Sequence, residues 1–172
     1  VTIEGLREDS LQPDRAFLNI LKSMGADTAF KDRSLHIKKS QLLGVDVDVS
    51  QCPDLLPVLA LVMAQAKGDS RIYGGKRVRL KESDRISTIA KNLKELGIHV
   101  IEEEDGILIK GADSFKGGAV MGENDHRIVM AMTTASVKSI SPILITDEEA
   151  VNKSYPEFFN DFKKLGGDWN VV

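Results

Sequence analysis

A repeat of roughly 70 residues constrains the fold of this chain more than any other feature of its sequence. Three helical patterns end in a similar order of residue types, and their glycines, Gly25, Gly97 and Gly166, are 72 and 69 residues apart. Such units bury their apolar faces against one another. The period predicts a single α/β domain over residues 1–172. A strand–helix–strand–helix unit with a hairpin occurs twice in it and begins a third time.

Composition limits the kinds of protein that this chain can be. Of its 172 residues, 42% are hydrophobic and 28% are charged, which suits one globular domain or two small ones that share a core. The net charge of −3 gives no general basic field for nucleic acid. Cys52 is the single cysteine, so no internal disulfide can form and we expect a reducing, cytoplasmic setting. The apolar run Val58–Ala64 is too short to span a bilayer.

Local patterns predict the individual elements of the unit. Turn residues between alternating apolar positions predict hairpins at 28–37 and 98–109. Pro53 precedes a stretch that is apolar nearly all round, which predicts a buried helix over Asp54–Lys67. The helix after Arg127 is expected to extend through Val137. A charged stretch, Lys81–Arg85, leads into another helix; the apolar face of that helix contains Ile86, Ile89, Ala90, Leu93 and Leu96.

The charged stretch Lys81–Arg85 is unusual because of where its cations lie. Either Ser83 or Asp84 can cap the following helix. Backbone N–H groups are unsatisfied at a helix N-terminus and the dipole there favours anions. Cations at that end do not stabilise the helix, but they do add to a site for an anion.

Other charged residues also fall at or just before predicted helix N-termini. If the repeated units pack in parallel, these N-termini converge at one end of the domain. Two interpretations remain open: unrelated surface ion pairs, which contribute little, or one site for a multiply charged anion such as a phosphate, with acids and bases beside it. The residues concerned are Asp54, Lys81, Glu82, Arg85, Asp125, His126, Arg127 and Lys153.

No pattern predicts a metal site or a bound cofactor. His36, His99 and His126 lack ligand spacing, and Cys52 stands alone. His36 and His99 are expected to be exposed or half-buried residues of strands. Gly74-Gly75 lacks the lysine and hydroxyl residue of a phosphate-binding loop.

Four motifs resemble those of a known family, the 5-enolpyruvylshikimate-3-phosphate synthases. They are Pro53-Asp54, the run from Arg79 to Arg85, Asn124-Asp125-His126-Arg127, and Lys153-Ser154-Tyr155-Pro156, in this order. The resemblance covers the whole chain. It implies the inside-out α/β barrel fold of enolpyruvyl transferases. In that fold βαβαββ units place parallel helices inside and sheets outside, and the helix N-termini face a cleft between two domains.

The resemblance also implies a reaction and a role for each matched residue. The family transfers the enolpyruvyl group of phosphoenolpyruvate to the 5-hydroxyl of shikimate 3-phosphate and releases phosphate. Asp54 matches the carboxylate that takes the proton of that hydroxyl, and Glu82 matches the group that protonates the enolpyruvyl methylene. The matched substrate-binding residues are Lys81, Arg85, His126, Arg127 and Lys153.

This sequence departs from the family pattern in two ways. Lys76-Arg77-Val78 stands where members often have a polar amide that contacts substrate. The family's first domain, with its own phosphoenolpyruvate-binding lysine and arginine and its Ser-Ser-Gln segment, has no match. We therefore expect a C-terminal lobe cut from a longer protein and inactive alone. Its partners would be the two substrates and the missing N-terminal domain. The alternatives are a UDP-N-acetylglucosamine enolpyruvyl transferase relative and a non-catalytic binding or regulatory module.

Overall fold

The computed structural model describes residues 1–172 as nine strands, five α-helices and short 3-10 turns between them. The strands are β1 Thr2–Ile3, β2 Thr28–Lys31, β3 Ser34–Ile37, β4 Asp46–Asp48, β5 Asp69–Tyr73, β6 His99–Glu102, β7 Ile107–Lys110, β8 Gly118–Val120 and β9 Ile143–Ile145. The helices are α1 Ala16–Ser23, α2 Leu56–Met63, α3 Arg85–Glu95, α4 His126–Ala135 and α5 Phe158–Lys164. The 3-10 turns are Pro13–Arg15, Pro53–Leu55, Lys76–Leu80, Ser136–Lys138 and Glu148–Lys153.

The sheets show how the repeated unit is built. The segment β4-α2-β5-α3-β6-β7 forms a four-stranded sheet in the order β4-β5-β7-β6, in which β4 and β5 are parallel and the other pairs antiparallel. A three-stranded sheet, β1-β3-β2, precedes it and a parallel pair, β8-β9, follows it. Counted from β1, the order strand–helix–hairpin–strand–helix occurs twice and starts again at β9. Counted by sheets, only the central βαβαββ unit is complete.

Three helices form the centre of the fold. Helices α2, α3 and α4 all contact one another, and 29 buried residues make one core cluster around them. Helix α2 is apolar on nearly every face, and Leu56, Leu59 and Ala60 have no exposed surface. The prediction of a buried helix was therefore right. It is shorter than expected because the chain tightens after Met63, where amides bond three residues back.

The other two central helices also agree with their sequence patterns, with one correction. The five predicted apolar residues of α3 have no exposed surface, and Asp84 is its cap. Helix α4 ends at Ala135, so the extension to Val137 was wrong. Val137 lies in the following 3-10 turn and is 68% exposed. None of the five helices combines the length and apolar character that crossing a bilayer requires.

Candidate functional site

The Asp54 carboxylate, just before α2, forms ion pairs with cations from the starts of α3 and α4. Pro53 starts a 3-10 turn, which places Asp54 just before α2. Its carboxylate lies 3.3 Å from Lys81 Nζ, 2.8 Å from Arg85 Nη1 and 3.6 Å from Arg127 Nη2. Lys81 precedes α3, whereas Arg85 and Arg127 lie in the first turns of α3 and α4. The N-terminal ends of α2, α3 and α4 therefore lie together, as the repeat predicted.

Arg85 and Asp125 form a buried ion pair beside Asp54. The Arg85 side chain is 3% exposed and that of Asp125 is fully buried. Arg85 Nε and Nη2 donate to the two carboxylate oxygens at 2.8 and 3.2 Å, which is a bidentate arrangement. Asp125 also accepts hydrogen bonds from Ser83 Oγ and from the backbone N–H of Arg127. One carboxylate thus ties the start of α3 to the start of α4.

Glu82 and His126 form a second acid–base pair at the same end of the fold. His126 Nδ1 lies 2.8 Å from Glu82 Oε2, and Arg85 Nη2 lies 4.0 Å from the same oxygen. The Glu82 side chain is 37% exposed and that of His126 12%. A carboxyl group in this position can reach solvent or a ligand while the imidazole behind it fixes its orientation.

Arg127 and Lys81 are the accessible cations of the charged cluster around Asp54. Their side chains are 32% and 39% exposed. Arg127 Nη1 donates to the backbone carbonyl of Asp54 at 3.3 Å and lies 4.0 Å from Asp14 Oδ2. Charged groups with this exposure keep donors available for an anion, which the buried Arg85 does not.

Lys153 contacts the site through a backbone carbonyl rather than through an ion pair. It is exposed and ends a 3-10 turn five residues before α5, so its prediction at a helix N-terminus was wrong. Its ammonium group donates to the backbone carbonyl of Asn124, the residue before the α4 cap. Lys153 therefore joins the site through the loop that carries His126 and Arg127.

All seven predicted site residues thus lie at one end of the fold, but sequence reasoning missed part of what holds them. Sequence reasoning placed Asp125 among the charged residues at the helix starts but gave it no role, although an aspartate before an apolar helix is a cap signal that could have indicated its burial. Nothing in the sequence indicates that Asp14 lies beside Arg127. No local signal predicts that Ser83 donates to a residue 42 positions away.

The charges of the cluster act strongly on its two aspartates. Burial opposes ionisation of Asp54, but the positive charges of Arg127, Lys81 and Arg85 outweigh it and lower the pKa of the carboxyl. Burial likewise opposes ionisation of Asp125, and its hydrogen bonds and ion pair with Arg85 still lower its pKa. Both carboxylates are ionised at neutral pH.

Glu82, Asp125 and His126 also offer ligand atoms within 4.8 Å of one another, which is a spacing that a metal ion could use. Arg85 donates to Asp125 and pairs with Glu82, so a permanent cation already occupies the space between their charges. The residues fit ion pairing better than metal ligation. His36 is half-buried and His99 is exposed, as predicted.

These observations define a class: α/β proteins of repeated units whose converging helix N-termini hold accessible cations beside acid–base carboxyls. The family model described as EPSP synthase (3-phosphoshikimate 1-carboxyvinyltransferase) matches residues 1–162. The chain belongs to the EPSP synthase family.

Individual relatives agree with this assignment. The chain is 44% identical over 174 residues to a 3-phosphoshikimate 1-carboxyvinyltransferase of Clostridium kluyveri, covering 99% of this chain and 41% of that protein. The Methanocaldococcus jannaschii enzyme of the same name is 42% identical, with 99% and 40% covered. This chain spans about two fifths of the length of these relatives.

Solved structures share the fold. An EPSP synthase from Acinetobacter baumannii superposes with a TM-score of 0.87 at 32% identity, covering 97% of this chain and 42% of that one. The enolpyruvyl transferase NikO from Streptomyces tendae gives 0.75 at 19% identity, covering 97% and 38%. The inside-out α/β fold expected from the sequence is therefore confirmed.

Proposed function

We propose that residues 1–172 form the C-terminal lobe of a 3-phosphoshikimate 1-carboxyvinyltransferase. The complete enzyme transfers the enolpyruvyl group of phosphoenolpyruvate to the 5-hydroxyl of shikimate 3-phosphate in aromatic amino acid biosynthesis, in the cytoplasm. The observation that carries the proposal is the meeting of Lys81, Arg85 and Arg127, from the starts of two helices, at the Asp54 carboxylate before a third helix. Family membership supports it, since relatives of this name match nearly the whole chain.

The arrangement suits an anionic substrate in a specific way. Lys81 and Arg127 are accessible and can bind phosphate or carboxylate oxygens. While both cations face Asp54, they lower its pKa and make it a weak base. An anion that shares their charge raises that pKa, so Asp54 becomes basic enough to take the hydroxyl proton when substrate is bound. Lys153 and His126 complete the anion-binding side.

The reaction uses two carboxyls as proton carriers. A C–O bond forms between the 5-hydroxyl oxygen and the enolpyruvyl carbon, and Asp54 takes the hydroxyl proton. Glu82 donates a proton to the methylene carbon. Positive charge then develops on the adjacent enolpyruvyl carbon, which the hydroxyl oxygen attacks. When the bond to phosphate breaks, the methyl group returns one proton to Glu82 and the enol ether forms. The proton held by Asp54 leaves with the phosphate. Arg85, which is fixed by Asp125, pairs with both Asp54 and Glu82 and so holds these two side chains in position relative to each other.

The lobe alone is expected to bind phosphate weakly and to catalyse nothing. A first domain would supply the remaining anion-binding groups and exclude water by closing over the substrates. Phosphate binding by residues 1–172, followed by NMR titration, should weaken with salt and with Arg127→Gln. Arg71→Gln is the matched control, because Arg71 is partly exposed and pairs with Glu103 outside the site.

Activity is tested in the complete enzyme that contains these residues. Glu82→Gln should lower kcat by about a hundredfold or more, because it removes a proton donor, and should change substrate binding little. Glu104→Gln, at an exposed carboxylate paired with Lys76, is the control and should retain activity. A complete enzyme that releases no phosphate from the two substrates would refute the proposal. So would full turnover by residues 1–172 alone.

A further inference from the structure

We infer that Arg79 is a positioning residue for the catalytic segment, holding Lys81 and Glu82 in place through the cap of α3. The inference rests on the proposed function, because Lys81 and Glu82 are its substrate-binding and proton-donating groups. Arg79 itself does not face the cluster around Asp54. Its side chain is 24% exposed and spans from the α3 cap to the turn between β6 and β7.

The segment that needs positioning is the connection Lys81–Ser83, between a 3-10 turn and α3. It has little packing of its own, since the side chains of Lys81 and Glu82 are more than a third exposed. Leu80, just before it, is 88% exposed. The backbone amides of Glu82 and Ser83 donate no backbone hydrogen bond. Apart from the polar contacts of its side chains with Asp54, His126 and Asp125, the segment therefore depends on what fixes its two ends.

Arg79 fixes both ends at once. On the α3 side, Nη1 donates to Asp84 Oδ2 at 2.8 Å. On the hairpin side, Nε donates to the backbone carbonyl of Glu104 at 2.8 Å, and Nη2 donates to that of Glu103 at 2.7 Å and lies 2.9 Å from the Glu102 carboxylate. All three guanidinium nitrogens are therefore used. A lysine ammonium, which is a point donor, cannot bridge two elements in this way.

The contact between Arg79 and Asp84 acts on α3 because Asp84 is the N-cap of that helix. Asp84 Oδ1 accepts the backbone N–H of Ser87 at 3.1 Å, while its other oxygen is held by Arg79. Arg79 thus selects the side-chain orientation in which Asp84 caps α3. The ion pair Arg79–Asp84 closes a short loop around Lys81–Ser83, and the hydrogen bond from Ser83 Oγ to Asp125 fastens the same segment to α4.

Arg71, on β5, is a second arginine that contacts the turn between β6 and β7, and it has a purely structural role. It is 42% exposed and pairs with Glu103 through a single 2.8 Å contact, without reaching α3. An exposed pair of this kind contributes about 0–1 kcal/mol to stability. Arg71→Gln is therefore the matched control for Arg79→Gln, since both remove an arginine that pairs with a carboxylate of the β6–β7 hairpin.

The first test uses amide hydrogen exchange in residues 1–172. Arg79→Gln should accelerate exchange of the Ser87 amide, whose acceptor is Asp84, at least about tenfold relative to the core of α3. Arg71→Gln should leave it unchanged. Equal exchange in the two variants would overturn the inference, whether or not the enzyme assignment holds.

The second test measures kinetics in the complete enzyme. Arg79→Gln should lower kcat about ten- to a hundredfold, because proton transfer from Glu82 depends on placement within a fraction of an ångström. The KM values should rise less, because Lys81 acts through a flexible stem and a point charge. In Arg79→Ala, guanidinium ion well below denaturing concentrations should restore part of kcat, and urea should not.

The outcomes of the kinetic test separate the two hypotheses. An enzyme inactive before any substitution refutes the proposed function and leaves the exchange test to decide the role of Arg79. An active enzyme in which Arg79→Gln keeps its kcat, or loses no more than Arg71→Gln does, refutes the positioning role alone.

Discussion

At the scale of single residues, Asp125 is the structural centre of the site. It is fully buried, and its carboxylate neutralises the buried guanidinium of Arg85. Removing one partner of a buried pair leaves an uncompensated charge, which costs far more than the pair itself contributes. The residue that organises the cluster is thus one that a ligand does not need to touch.

Asp125→Asn is therefore expected to destabilise the protein by about 3–5 kcal/mol, as measured by urea unfolding. Asp161→Asn is the matched control. Asp161 pairs with Lys164 on the surface of α5, with side chains 36% and 72% exposed, and its loss should cost less than about 1 kcal/mol. Similar losses of unfolding free energy in Asp125→Asn and Asp161→Asn would show that the buried Arg85–Asp125 pair does not stabilise the fold more than a surface pair does.

The same pair predicts how stability depends on pH. The pKa of Asp125 is lower in the folded protein than in the unfolded chain. A carboxyl of this kind contributes stability that is complete above the unfolded value, about 3.9, and is lost as pH falls through the folded value. The free energy of unfolding should therefore fall steeply below about pH 4. Asp125→Asn should show a shallower fall, and an unchanged slope would contradict the prediction.

At the scale of elements, the loop from β8 to α4 is held by contacts from other parts of the fold. Glu123 and Asn124 have φ angles of 51° and 50°, which non-glycine residues adopt rarely. Asn92, 2% exposed on α3, donates to the backbone carbonyl of Met121 at 2.8 Å and accepts its N–H at 3.0 Å. The loop that presents His126 is thus anchored to α3 by one amide side chain.

Asn92→Ala should therefore destabilise the protein by about 1–3 kcal/mol, because it leaves two backbone groups of Met121 without partners. It should also accelerate amide exchange at Met121. Asn160→Ala is the control, since Asn160 is exposed on α5 and bonds only to Glu157. Unchanged exchange at Met121 in Asn92→Ala would show that the loop is held by its other contacts.

At the scale of the whole molecule, periodicity predicted much of the fold because each unit obeys the same local rules. Both hairpins and all three central helices followed from apolar spacing, turn residues and glycine stops. The helix boundaries were less predictable, because the turns after Met63 and Ala135 depend on tertiary hydrogen bonds and exposure rather than on propensity.

The candidate site was less predictable than the fold for a physical reason. Charge at the helix starts is visible in the sequence, but the partner that each charge takes is decided by packing. Arg85 was expected among the substrate cations, yet the structure buries it between Asp54 and Asp125. Lys81 and Arg127 remain accessible. One-dimensional patterns do not distinguish an arginine that is buried from one that is exposed.

Two leucines at equivalent positions of the repeat differ in burial in the structure. Leu96 and Leu165 each precede the glycine that ends their helix, α3 or α5. Leu96 is fully buried because the chain after α3 returns as the β6–β7 hairpin and continues to Lys116, whose amide bonds to the Leu96 carbonyl. No hairpin follows α5 in residues 1–172, and Leu165 is 89% exposed. Identical substitutions at these two positions should therefore have unequal effects.

Leu96→Ala is expected to cost about 2–5 kcal/mol of unfolding free energy, because it removes buried methyl groups and leaves a cavity. Leu165→Ala should change stability by less than about 0.5 kcal/mol. Urea unfolding of residues 1–172, followed by circular dichroism, measures both under the same conditions. Equal losses would mean that Leu165 is covered in solution, for example by a second copy of the chain, and the loss in Leu165→Ala would then depend on protein concentration. Equal losses independent of concentration would contradict the packing described here for α5.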